Sequence, residues 1–180
     1  MFLTTVIDAM EGHDVVVIDV PGAFMQADMD ELVHVQFTGK MVELLLDIDP
    51  QLYSACVTIE KGMKVMYVEL LKALYGMLCT ACLFWEKLSQ KLIEWGFTLN
   101  AYDSCVANKM VNSKQLTVVW HVDDLKVSHV DAAVVDKFIE QMESEFGKET
   151  PLNKSRGCVH DYLGMILDFT NYIKMMLQDL

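Results

Sequence analysis

The sequence predicts an α+β domain, an antiparallel sheet with helices packed on one face. Three features point there. Residues 77–95 and 132–146 carry apolar side chains at spacings of three and four, the signature of amphipathic helices. Short β-branched runs recur between turn signals, as strands do. In the second half the order is helix, strand, strand, strand, helix, strand, which suits antiparallel pairing. At 180 residues the chain is expected to be a single domain spanning 1–180, large enough for a real core.

Each element follows from local chemistry. Residues 3–10 read as a short helix ended by Gly12, and 15–20 (VVVIDV) as a strand stopped by Pro21-Gly22. One or two helical turns over 23–30 precede an alternating strand over 32–37. A short helix over 40–46 follows, and Asp49-Pro50 would cap the next one with proline at its first position. Strands over 56–60 and 64–70 flank Lys61-Gly62, a hairpin signal. In the long helix, Ala81, Trp85, Leu88, Leu92 and Trp95 are expected to make the core stripe, with Gly96 as terminator. Strands over 105–111 and 116–122 flank Asn112-Ser113-Lys114, and a third strand covers 125–130. Asp131 would cap the helix over 132–146, whose stripe is Val135, Phe138, Met142 and Phe146, closed by Gly147. A last strand is expected over 162–169.

Composition narrows the function classes. Net charge is −12, with 13 Lys and one Arg, Arg156. A stand-alone nucleic-acid binder ordinarily presents a basic face, because phosphate neutralisation supplies most of its affinity. The hydrophobic fraction of 53% is high, and mean hydropathy is +0.26, which suggests apolar surface covered by something else. The longest apolar run, 77–85, is far short of the roughly 20 residues of a membrane span, and the first residues do not read as a signal peptide. Five scattered cysteines read as reduced intracellular thiols. Cys79 and Cys82, three apart in the long helix, are expected to be small buried thiols rather than a metal or redox pair. His13, His34, His129 and His160 have no ligand spacing and read as surface or packing residues. Glu140, Glu143, Glu145, Lys137 and Lys148 read as a solvated helix face.

Three carboxylates stand out. Asp123 and Asp124 sit side by side in HVDD, at the tip of a hairpin. Asp19 interrupts an otherwise apolar strand near its end, where a charge is costly unless paired or bound to metal. If strand 15–20 lies beside that hairpin, all three converge on one sheet edge. Converging carboxylates favour Mg²⁺ or Mn²⁺, and two such ions suit in-line phosphoryl transfer. The competing reading is a strand-end cap at Asp19 and a solvated turn at the pair.

The spacing also resembles a family. DVPGAF (19–24) is similar to motif A of reverse transcriptases, and HVDD (121–124) to their motif C. LLKALYGM with LFWEKL (70–88), WGF with YDSCV (95–106), and HDYLGM (160–165) resemble, in order, further blocks of the copia-type retrotransposon enzymes. The resemblance covers about 15–169 and implies a polymerase palm-like domain with partial fingers, from a longer polyprotein. It implies two-metal transfer of a deoxynucleotide to a primer 3′-hydroxyl on an RNA or DNA template. Asp19, Asp123 and Asp124 would be catalytic and would hold two Mg²⁺ (or Mn²⁺) ions, with the Val20 carbonyl as a backbone ligand. Phe24 would exclude a 2′-hydroxyl beneath the incoming sugar. Tyr75 and Gly76 would lie beside nucleotide and template, where glycine permits close backbone approach.

The departures from the family pattern are specific. His121 replaces the usual Tyr of motif C, Pro21 stands where Lys is common, and Gly76-Met77-Leu78-Cys79-Thr80-Ala81 lacks the usual Lys and Ser-Pro. The resemblance further implies that basic fingers, most of the thumb and a ribonuclease H region lie outside this sequence, which would account for its acidity. The expected location is cytoplasmic in virus-like particles, or nuclear, with no membrane association. Two alternatives stay open: an inactive truncated remnant, and another Mg-dependent phosphotransferase or nuclease.

Overall fold

A computed structural model describes residues 2–74, 76, 77 and 80–170. The elements run α1 (Phe2–Glu11), β1 (Asp14–Asp19), α2 (Ala23–Gln26), β2 (His34–Thr38), α3 (Lys40–Ile48), α4 (Pro50–Tyr53), β3 (Val57–Glu60), β4 (Met63–Glu69) and α5 (Thr80–Glu94). They continue with β5 (Thr98–Leu99), β6 (Val106–Val111), β7 (Lys114–His121), β8 (Asp124–His129), α6 (Ala132–Phe146), β9 (Asn153–Arg156), β10 (Val159–Tyr162) and β11 (Met165–Asp168). The fold is α+β, as the sequence predicts.

The main sheet has six strands in the order β5-β6-β7-β8-β1-β9, each pair antiparallel. Within it β8 lies beside β1, two segments more than a hundred residues apart in sequence, in the register Asp14↔His129 through Asp19↔Asp124. The period of two along each strand then sorts the side chains. Val16, Ile18, Leu125, Val127, Leu116, Val118 and Trp120 share one face with Phe84, Leu88 and Leu92 of α5 and Val135, Phe138, Met142 and Phe146 of α6. Edge-to-face aromatic contacts lock this layer, with Phe84 6.0 Å from Phe146 and Phe97 5.7 Å from Phe138 between ring centroids. Val15 and Val17 point the other way, into a smaller cluster with Ala9 of α1 and Tyr162, Leu167 and Phe169 around the β10–β11 hairpin.

The caps follow the sequence. Asp49 accepts from the backbone N–H groups of Gln51 and Leu52, and Asp131 accepts from that of Ala133. Lys61-Gly62 and Asn112-Ser113 both take positive φ at their two central residues, as two-residue hairpin turns require. A separate three-stranded sheet, β2-β4-β3, carries the first of these turns.

Four expectations need correction. The core stripe of α5 is Leu83, Phe84, Leu88 and Leu92; Ala81 is exposed and Trp85 half-buried, its Nε1 donating to the Ser104 carbonyl at 3.1 Å. The helix is rotated because 83, 84, 88 and 92 present the wider apolar face. The strand expected over 162–169 is the hairpin β10–β11, because Leu163 and Gly164 both take positive φ and reverse the chain. Cys82 is exposed, not buried, and Cys79 lies outside the described residues. The acidic face of α6 is not purely solvated either: Glu143 pairs with Lys154 at 2.6 Å and Glu145 with Lys91 at 3.6 Å.

Candidate active site

Asp19 is the last residue of β1 and Asp124 the first of β8, directly opposite each other in the register. The ladder continues one residue further, where the Val20 N–H donates to the Asp123 carbonyl at 3.0 Å. Asp19 and Asp124 are therefore a cross-strand pair on one face, with Cβ atoms about 5 Å apart. Two like charges so placed repel, and nothing in strand geometry alone favours them.

Asp123 is held by the turn between β7 and β8. His121 pairs with Asp124, so the loop is the two residues Val122 and Asp123. Val122 takes φ 56°, a left-handed conformation that a β-branched side chain rarely adopts. A turn of this shape ordinarily has glycine in that place. Strain of this kind persists only where the surroundings enforce it, and it concentrates at functional sites.

The electrostatics concentrate on Asp124. Its carboxyl is pushed above the ordinary carboxylate value, first by burial and then by the charges of Asp123 and Asp19, with Asp161 adding to the effect and His121 opposing it. Asp161 lies on β10, so a fourth carboxylate approaches from the hairpin. Asn153, on β9, stands opposite Asp19 on its other side, and its Nδ2 donates to Asp19 Oδ2 at 2.7 Å. The Val20 carbonyl accepts the Ala23 N–H at 3.2 Å, which leaves one of its lone pairs unused by that bond.

The donor set is hard oxygen in a field of excess negative charge, which suits Mg²⁺ or Mn²⁺. Burial raises the Asp124 carboxyl first, and the neighbouring charges of Asp123 and Asp19 raise it further. Among the described residues, however, no three His, Cys, Asp or Glu side chains stand together as a ready metal-ligating cluster. The fold brings Asp19 and Asp124 face to face and sets Asp123 beside them.

The model of the family described as reverse transcriptase (RNA-dependent DNA polymerase) matches residues 1–180. The chain belongs to the reverse transcriptase family. A comparison with curated proteins gives no match. Reverse transcriptases generally use divalent metals, and the family implies a nucleic-acid template-primer and deoxynucleotides as binding partners.

The other expected positions of this reverse transcriptase domain are placed as follows. Phe24 lies in α2, half-buried, and packs against the main core. Its helix follows Gly22, whose φ of 64° turns the chain sharply out of β1. Gly76 is exposed with φ 91°, and a Cβ there would meet nothing within 4 Å. What requires glycine at that position in the free chain is the backbone angle, not crowding. Tyr75 lies outside the described residues. His121 is exposed at the end of β7.

Sequence reasoning missed Asn153 and Asp161. Asn153 belongs to NKSR, a strand whose four residues are all exposed, so no apolar period marks it. Asp161 alternates with the buried His160 and Tyr162, but it lies just before the strand expected over 162–169. Among the described residues, no helix is long and apolar enough to cross a membrane.

Proposed function

We propose that this chain is the palm-like part of a copia-type RNA-directed DNA polymerase, transferring a nucleotide from a deoxynucleoside triphosphate to a primer 3′-hydroxyl. One observation carries the reading: Asp19 stands opposite Asp124 at one end of the β1–β8 pair, with Asp123 in the strained turn beside them. These three carboxylates and the Val20 carbonyl would hold two Mg²⁺ or Mn²⁺ ions. Bound there, the ions would supply Lewis acidity toward the attacking hydroxyl and the pyrophosphate leaving group.

The chain's own residues do the rest. Asp19 and Asp124 supply fixed negative charge that fails to balance without a cation. The Phe24 ring, stiffened by packing against the core, would lie beneath the sugar and exclude a 2′-hydroxyl. Gly76 leaves open space where a base or sugar can approach the backbone. With a net charge of −12, the domain would rely on basic fingers, thumb and ribonuclease H regions of a polyprotein to hold the nucleic acid. The exposed apolar residues of the three-stranded sheet, Ile59, Met63 and Tyr67 among them, fit contact with such regions. The place of action would be cytoplasmic, in virus-like particles.

A second reading rests on the absence of a ready three-ligand cluster among the described residues: a folded remnant without polymerase activity. Primer extension on an RNA template with Mg²⁺ or Mn²⁺ separates the two. Extension that Asp123→Asn abolishes is the expected result. No extension even when basic fingers are supplied in cis favours the remnant, and phosphodiester cleavage without incorporation favours a nuclease.

A further inference from the structure

We infer that Asn153 is a positioning residue for Asp19, and that strand β9 is arranged to orient this carboxylate without neutralising it. The inference deepens the polymerase reading and rests on it.

The register places Asn153 and Ser155 of β9 opposite Asp19 and Val17, and Lys154 and Arg156 opposite Ile18 and Val16. Alternation therefore sends Asn153 to the carboxylate face and both cations to the helix face. There each cation is engaged: Lys154 with Glu143 of α6 at 2.6 Å, Arg156 with Asp14 at 2.5 Å and Asp136 at 2.6 Å. A one-residue slip of β9 would put Lys154 in the place of Asn153 and neutralise Asp19. The three ion pairs oppose that slip, because they hold β9 against α6 and the start of β1.

What reaches Asp19 is thus a neutral amide, donating to Oδ2 at 2.7 Å. A neutral donor restricts the rotation of the carboxylate and leaves its full charge and its other oxygen for a cation. A lysine would bind the same oxygen and cancel that charge. This division resembles the way outer hydrogen bonds fix metal-ligating side chains, where losing the partner lowers metal affinity by about 10-fold or more.

The test is Mn²⁺ binding to the full 180-residue chain, read by electron paramagnetic resonance without nucleotide or primer. Asn153→Ala is expected to weaken Mn²⁺ binding about 10-fold. Asn153→Thr keeps a strand-favouring side chain with a donor of shorter reach, and should fall on the weakened side of the parent. Ser155→Ala, two residues along the same face, should bind as the parent does. Far-UV circular dichroism monitors the fold of each variant, and the threonine variant decides the outcome if the alanine variant does not fold. Parent-like Mn²⁺ binding by a folded Asn153 variant overturns the positioning role and leaves the polymerase reading standing. Absence of Mn²⁺ binding by the parent itself overturns both.

Discussion

Asp124 is where function and stability pull apart. Burial and the charges of Asp123 and Asp19 raise its carboxyl above the ordinary value. A carboxyl that binds its proton more tightly when folded adds stability at low pH and loses it as pH rises through the raised value. Replacing it by a neutral isostere removes that loss. Asp124→Asn should therefore match the parent near the ordinary carboxylate range and exceed it at neutral pH by about 0.5 kcal/mol, the order of a cross-strand like-charge pair. Urea unfolding at the two pH values reads the difference. A parent more stable than the variant at neutral pH would contradict the raised carboxyl. Val122 adds to the same tension, since its φ of 56° places a β-branched residue where glycine belongs.

At the scale of elements, α1 is fastened to the sheet by a buried ion pair. Lys126 on β8 is fully buried and pairs with Asp8 of α1, itself 2% exposed. His13 Nδ1 lies 3.0 Å from the same carboxylate. Lys126 is two residues from Asp124 on the same face, so this pair closes the sheet next to the site. Asp8→Leu leaves the buried Lys126 charge alone and should cost about 3–5 kcal/mol of stability, and Lys126→Met should cost less, because His13 still stands 3.0 Å from Asp8. The double variant should recover most of that, because an apolar pair of similar size needs no compensation. Chemical denaturation of the three variants checks it, and additive losses in the double variant would refute the pairing.

Elements also show what a single sequence reveals. Strands β1 and β7 were legible because they are apolar, β8 because Leu125 and Val127 alternate with polar residues, and α6 because its stripe and its Asp131 cap agree. Motif spacing brought out Asp19, Asp123 and Asp124, and the register joined the first and last of them. Strand β9 was not legible. Its residues are polar and exposed, and its place depends on ion pairs to Asp14, Asp136 and Glu143, partners 11 to 142 residues away in sequence. The Asp8–Lys126 pair was hidden for the same reason: a lysine inside VDDLKVSH carries no local sign of burial. The α5 stripe was misplaced because both its faces carry large apolar residues, and only the packed partners, Phe146 among them, decide between them.

For the whole molecule, a net charge of −12 sits beside a function that handles polyanions. The local excess around Asp19, Asp123, Asp124 and Asp161 is the sharpest form of that imbalance, and shared divalent cations would resolve it. The most direct measurement is Mn²⁺ binding by electron paramagnetic resonance to the parent chain and to Asp19→Asn, Asp123→Asn and Asp124→Asn. A shared site predicts that each of the three substitutions weakens binding while the circular dichroism spectrum holds. Undiminished binding in both Asp19→Asn and Asp123→Asn would contradict it, since carboxylates from β1 and from the β7–β8 turn would then have no ion in common.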